Sequence, residues 1–308
     1  MEERKLSVEI AKAIGSPIDI NLPINPMILA IAETDAVPAG EDCYTFVADS
    51  EVDKVYTLDS NGAITTVKVV PNATSALSFA YFDSGLHYIL AKDVMETKDS
   101  SKMARVKARV TRGLDKKEVA GILTIALAAA TGDRVITQAT EDDVLDVIIN
   151  LKHAIENYGD NYVLLAGSNV KAKIDSYDKD RADVDYYRVG IMEQLANMGI
   201  KVVKVSGKLT TDSGSDTLLL AADSAILVAL DSTLQVGRPF VAIRRIISPE
   251  LAAGMGIEVT DAQRGLFVAN TPVILAGVNT LGYGIYGFEN FVIACVNPYA
   301  VAKCVTIS

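Results

Sequence analysis

The chain has 308 residues, of which 50% are hydrophobic and 22% charged, with 29 Lys and Arg against 39 Asp and Glu for a formal net charge of -10. That excludes a disordered chain, which is apolar-poor, and argues against a sequence reader of nucleic acid, which needs a basic footprint. Two His (His87, His153) and three Cys (Cys43, Cys295, Cys304) are too sparse for a His/Cys metal cluster or a disulfide framework, and fit a reducing compartment.

Met1 to Lys5 leads into no apolar h-region, so no signal peptide is expected. The longest apolar stretch, 119–130, is interrupted by Thr124 and is too short to span a bilayer, so a soluble chain without a membrane partner is expected. Residues 1–45 read as an arm. Pro17, Pro23, Pro26 and Pro38 break it, each biasing its predecessor away from the α region. A short helix fits Ser7 to Ile14, and the rest is expected to be extended and to need a surface to lie against.

Asn61-Gly62 is the favoured pair for a two-residue type I′ hairpin loop. Strand-like runs flank it, Asp53 to Asp59 and Ile64 to Val70. In that register Tyr56, Leu58, Val67 and Val69 share one apolar face, and Asp53, Thr57, Asp59 and Lys68 the other, with Val55 and Ile64 as exceptions. An isolated hairpin is marginal in water, so its apolar face is expected to rest on the body or on another subunit.

From Asp99 to Ala130 the pattern is helical, with Ser100 and Ser101 as candidate N-caps and Gly132 as a stop. Lys102, Arg105, Arg109, Arg112 and Lys116 form a basic stripe on one face, and Met103, Val106, Val110 and Leu114 fill a separate arc. The stripe is a solvated face or the seat of an acidic neighbour or polyanion. Gly113 weakens such a helix by about 1 kcal/mol relative to Ala.

Residues 131–205 read as α/β material. Thr140 and Asp143 suggest a capping box, followed by the stripe Val144, Val147, Ile148, Leu151, Ile155 and a stop at Gly159. Tyr162 to Ala166 is a strand, Ser168 opens a short helix, Val184 to Met198 is a helix stopped by Gly199, and Ile200 to Val205 is a buried-type strand. The remainder is β-rich, with runs at Leu218–Leu220, Ala225–Leu230, Phe240–Ile247, Leu266–Ala269, Val273–Ala276, Phe291–Val296 and Ala300–Ile307.

Catalytic motifs fail on their contexts. Gly282, Gly284 and Gly287 match a dinucleotide fingerprint, but a Pro stands at 298 and no acid follows Glu289, so they read as loop glycines. Ser168 and Lys171 match S-x-x-K without its companion elements, so Ser168 reads as a helix N-cap with an exposed Lys171. The Gly207-Lys208 loop lacks the Ser/Thr of a phosphate loop. Neither His87 nor His153 has a nucleophile or acid motif beside it, and no cofactor or enzymatic activity is expected.

The order of parts is a proline-broken arm, a long hairpin, a long helix, an α/β body and a β-rich lobe. It resembles the major capsid protein of tailed bacteriophages, an α+β chain of the Hong Kong 97-type fold also used by encapsulin shells. The words that carry the resemblance are Tyr162-Val-Leu-Leu-Ala-Gly-Ser-Asn-Val-Lys171, Gly199-Ile-Lys-Val-Val203, Asp223-Ser-Ala-Ile-Leu-Val-Ala229 and Phe291-Val-Ile-Ala-Cys-Val-Asn-Pro-Tyr-Ala-Val301. The resemblance implies an N-terminal arm at 1–45 and an extended loop at 46–98. It implies a spine helix and peripheral domain at 99–200, completed by 288–308, and an axial domain at 201–287. It further implies self-assembly into hexamers and pentamers of an icosahedral virion shell around non-specifically packaged double-stranded DNA. A separate scaffolding protein and a portal would be partners, with assembly in the host cytoplasm. Lys54 and Lys68 lie where some members cross-link, but without a matching Asn or acid, so assembly is expected to be non-covalent. An encapsulin-type compartment shell would use the same fold. A soluble α/β enzyme with an unrecognised carboxylate site is the alternative of a different class.

Overall fold

A computed structural model describes residues 25–38, 43–47, 74–78, 83–90, 100–137, 143–176, 191–210, 216–231, 237–248, 250, 264–275 and 278–307. It is a mixed helix and sheet chain. The centre is a five-stranded sheet of order β5-β15-β10-β6-β7, formed by Val135–Ile136, Val301–Cys304, Ala225–Leu230, Asn161–Ala166 and Ile200–Lys204. β10 runs antiparallel to both of its neighbours, while β6 pairs parallel with β7 and β15 parallel with β5.

The strand sequences explain why this sheet is covered on both sides. In β6, Tyr162, Leu164 and Ala166 alternate with Val163 and Leu165, and both sets are buried, the near-continuous apolar run of a strand packed on two faces. One face carries Tyr162, Leu164, Leu227 and Ala302. It packs against helices α3 (Val144–His153), α4 (Ser168–Ser176) and α5 (Ile191–Asn197) through Val147, Ile148, Leu151, Val170, Ile174 and Leu195. The other face carries Val163, Leu165, Ile226, Val228 and Val301. It packs against helix α1 (Pro26–Ile31) and the C-terminal half of the long helix α2 (Ser100–Ala129).

Two further sheets complete the fold. β1 (Ala32–Val37), β11 (Phe240–Arg245) and β14 (Phe291–Cys295) form one, with β1 parallel and β14 antiparallel to β11. Phe240 and Ala242 turn into the core beneath α2, while Val241 and Ile243 join Val37 and Val296 in a small outer cluster. The other sheet is a long ribbon, β12 (Arg264–Leu275) and β13 (Val278–Glu289), with β4 (Asp83–Leu90) added to β13. Smaller pairs join β2 (Cys43–Val47) to β3 (Thr74–Ser78), and β8 (Lys208–Thr210) to β9 (Asp216–Leu218). No helix among the described residues is long and apolar enough to cross a membrane.

Several expectations are corrected. The end of the arm is not merely extended. Asn25 caps α1, its side chain accepting from the Met27 amide at 3.0 Å, and Pro26 occupies the first turn, where its missing N–H costs nothing. Ile28 and Ile31 are fully buried, so residues 26–37 belong to the body. The helix expected from Thr140 begins at Val144 with Asp143 at the N-cap, without a side-chain capping bond, and ends at His153 rather than at Gly159. Ile200–Lys204 is an edge strand with Lys201 and Lys204 exposed, not a buried one. Gly282, Gly284 and Gly287 lie inside β13, paired on both sides, not in a loop. The runs at 266–269 and 273–276 are one strand, because Pro272 sits on β12, which is at the ribbon's edge and need not donate outward. In the five-stranded sheet β10, from within 201–287, lies between β6 and β15.

Two glycines make opposite demands. A Cβ at Gly113, within α2, would meet nothing within 4 Å, whereas one at Gly167 would lie 2.3 Å from the Ala221 carbonyl oxygen and 2.4 Å from that of Ala222. Gly167→Ala therefore forces apart the backbone contact where the Gly167 amide donates to Ser224 O at 2.9 Å. Gly113→Ala is expected to stabilise the subunit by about 1 kcal/mol and Gly167→Ala to destabilise it by about 1–3 kcal/mol, read by urea denaturation of the two variants against the parent.

Candidate functional site

α2 arises as expected and organises the charged side chains. Its apolar arc is confirmed at Val110 and Leu114, both buried. The basic stripe divides. Lys102 and Arg105 lie in the first turns of the helix, Arg109 and Arg112 are exposed and have no hydrogen-bond or ion-pair partner among the described residues, and Lys116 Nζ donates to the Lys208 carbonyl at 2.9 Å. Lys116 is thus a tether between α2 and β8, while Arg109 and Arg112 are exposed. Tyr56, Leu58, Asn61, Gly62, Val67 and Val69 lie outside the described residues, as do Lys54 and Lys68. What is described is the pairing Val47↔Thr74, which brings the two ends of segment 48–73 side by side.

Among the described residues, buried charge gathers in one cluster that sequence reading did not single out. Glu118 of α2 accepts two bonds from Arg244 of β11, Nε to Oε1 at 2.7 Å and Nη2 to Oε2 at 2.8 Å. Arg264, at the start of β12, donates from Nη1 to Asp115 Oδ1 at 2.6 Å and from Nε to Glu289 Oε2 at the end of β13. Its Nη2 stands 3.0 Å from Glu118 Oε1 but makes no hydrogen bond, and Glu289 Oε1 also has no partner. Glu118, Arg244, Arg264 and Glu289 are each at most 2% exposed. The carboxylates beside Arg264 hold its guanidinium well above the usual range despite burial. Burial, reinforced by the Glu118 charge, pushes the Glu289 carboxyl up to about 8, against the pull of the two arginines. A signal for this cluster was present. Glu118 continues the arc of Val110 and Leu114 at helical spacing and is followed by Ile122, so a carboxylate stands in the apolar seam.

The nucleophile-type side chains are arranged for structure. Ser168 is the first residue of α4, so the position before the helix belongs to Gly167 and not to Ser168 as expected, and Lys171 is ion-paired with Asp175. His153 makes an exposed pair with Glu156 at 3.0 Å. Burial pushes the Cys295 thiol up to about 12 and raises that of buried Cys304, which leaves little thiolate at neutral pH. Among the described residues no group of three or more His, Cys, Asp or Glu could hold a metal ion. On the body's edge, Tyr299 stacks on Tyr158 with ring centroids 5.7 Å apart, and the Arg134 guanidinium lies 5.1 Å from the Tyr299 ring.

Neither a family model nor a curated protein matches the sequence. Solved structures do share its fold. A phage-related protein from Bordetella bronchiseptica RB50 superposes with a TM-score of 0.53 at 12% identity, over 92% of this chain and 93% of that one. The capsid of cyanophage P-SCSP1u gives a TM-score of 0.50 at 10% identity, covering 90% and 86% of the two chains. Microbacterium phage Oxtober96 gives 0.50 at 12% identity, covering 91% and 90%. The fold is therefore that of phage capsid proteins, the Hong Kong 97 fold, as the order of parts in the sequence implied.

Two outcomes follow from the buried groups. Arg244→Met leaves Glu118 buried with its main partner removed and is expected to cost about 3–5 kcal/mol, measured by urea denaturation. Cys295 and Cys304 are expected to resist iodoacetamide at about pH 8 in the native protein and to alkylate fully in denaturant, read by mass spectrometry of their peptides.

Proposed function

We propose that this chain is the major subunit of a capsid-type shell, assembling as hexamers and pentamers into an icosahedral particle around double-stranded DNA. The observation that carries the reading is that nearly the whole chain, 90% of it, superposes on nearly the whole of the cyanophage P-SCSP1u capsid subunit. A match of that extent leaves little of the chain outside a shell-type fold. Function still has to be argued from surfaces, since one fold can serve many ends.

The surfaces agree with assembly. The pairing of β2 with β3 brings together the ends of segment 48–73, whose sequence has a hairpin signal and an apolar face. In the proposal Tyr56, Leu58, Val67 and Val69 bury that face on a neighbouring subunit, with Asn61 and Gly62 at the turn. Burial of apolar area supplies the affinity, and charge sets register. Arg109 and Arg112, exposed on a chain of net charge -10, supply a positive surface for an acidic neighbour or for packaged DNA, and Lys102 and Arg105 extend it. In the proposal 99–200, completed by 288–308, are the spine helix and peripheral domain, and 201–287 the axial domain. A separate scaffolding protein and a portal complete the proposed set of partners, and the virion is the proposed location.

The test is to purify the recombinant protein and examine it by negative-stain electron microscopy and light scattering. Shells, tubes or five- and six-fold rings are expected, and their nucleic-acid content separates a virion coat from an empty compartment. A closed dimer or tetramer that turns over a small molecule would overturn the proposal. The double reversal Arg109→Glu and Arg112→Glu is expected to lower shell yield by roughly tenfold or more, because like charges brought together cost several kcal/mol. The thermal unfolding of the subunit should be unchanged by it, since both side chains are exposed and have no bonded partner among the described residues.

A further inference from the structure

The cluster of Asp115, Glu118, Arg244, Arg264 and Glu289 lies at the root of the β12–β13 ribbon, where Arg264 and Glu289 are register partners. It joins α2, β11 and the ribbon by charged side chains. Charge counting constrains its state. Three carboxylates and two guanidiniums leave one negative charge over if every group is ionised, in a place closed to water. Asp115 can shed its share of that cost, because its side chain is 35% exposed. Glu118 takes both fork bonds of Arg244. Glu289 is fully buried, receives one donor, Arg264 Nε, and keeps Oε1 without any. A buried carboxylate oxygen with no donor costs more than a neutral hydroxyl in the same place, so the single proton belongs on Glu289.

Among the described residues, the neighbours Asn290 and Lys116 do not remove the excess. Asp83 of β4 is the register partner of Glu289 on its other side. Asn290 is buried and neutral, and its carbonyl accepts from the Arg245 amide at 3.0 Å. Lys116 is engaged at Lys208. Replacing such a cluster by apolar residues is often neutral or stabilising, so its presence is not explained by stability alone.

We propose that these five side chains are a protonation-gated joint between α2 and the β12–β13 ribbon, in which Glu289 holds a proton while the joint is closed and its loss loosens the ribbon before the body gives way. This rests on the fold of the subunit and not on the shell reading. The sign follows from the raised carboxyl, near 8 in the folded chain against an ordinary 4.5. The folded state binds the extra proton, so the contribution is fully present below the ordinary carboxylate range and is lost as pH rises toward about 8.

Hydrogen exchange on the purified protein tests it, comparing the parent with Glu289→Gln at about pH 6.5 and about pH 9 after correction for the intrinsic rate. In the parent, protection of 264–275 and 278–289 is expected to fall roughly thirtyfold, because each pH unit between the open and closed titrations is worth tenfold and about 1.5 such units lie above pH 6.5, while β6 and β10 keep theirs. Glu289→Gln should show no such fall. A ribbon indifferent to pH in the parent, or an equal fall in the variant, would overturn the joint. Should the variant not fold, infrared spectroscopy of the parent decides. A buried carboxylic-acid carbonyl band present at about pH 6.5 and gone by about pH 9 supports the proposal, and its absence at the lower pH rejects it.

Discussion

The contact on which the arrangement of the sheets depends is the pair of hydrogen bonds from Arg244 to Glu118, with Arg264 behind it. An apolar seam would let α2 slide or rotate over β11 at little cost, because dispersion is non-directional. A guanidinium fork meeting a carboxylate has one good geometry. Fixing that geometry inside the protein fixes how α2 crosses β11. Through Arg264, it also fixes where the ribbon leaves the body.

Around this joint the packing is conventional. The five-stranded sheet is buried on both faces by alternate residues of the same strands, so β6 and β10 need no polar side and carry almost none. α2 changes character along its length. Its C-terminal half buries Val119, Ile122, Leu123 and Ala126 in the apolar core, while Asp115 and Glu118 mark the point where charge replaces hydrocarbon. Arg109 and Arg112 come earlier still, exposed on the helix face away from the buried Val110 and Leu114.

The sequence made the long helix legible to within a residue, because an uninterrupted periodic arc and a Gly at its end are local features. β6, β10 and β14 were legible for a similar reason, each being a short apolar run between breakers. What was missed is non-local. That Pro26 starts a helix depends on Asn25 capping it and on Ile28 having a core to enter. That glycines 282, 284 and 287 belong to a strand depends on β12 and β4 supplying hydrogen bonds on both sides. The charge cluster draws on α2, β11, β12 and β13, and only Glu118 left a trace in local periodicity. The hairpin residues from Tyr56 to Val69 remain a reading of the sequence, joined to the structure by the strands at their base.

The parallel pairing of β1 with β11, and that of β5 with β15, join segments far apart in the chain: Ala32 meets Phe240, and Val135 meets Lys303. Closing such long loops yields no reward until both ends have met, so these steps are slow beside the formation of α2 or α3. Until they finish, β6 and β10 present apolar edges and faces that nothing covers. Folding of this subunit thus has a window of exposure set by topology rather than by stability. Within it, concentration decides whether a chain completes its own sheet or sticks to another.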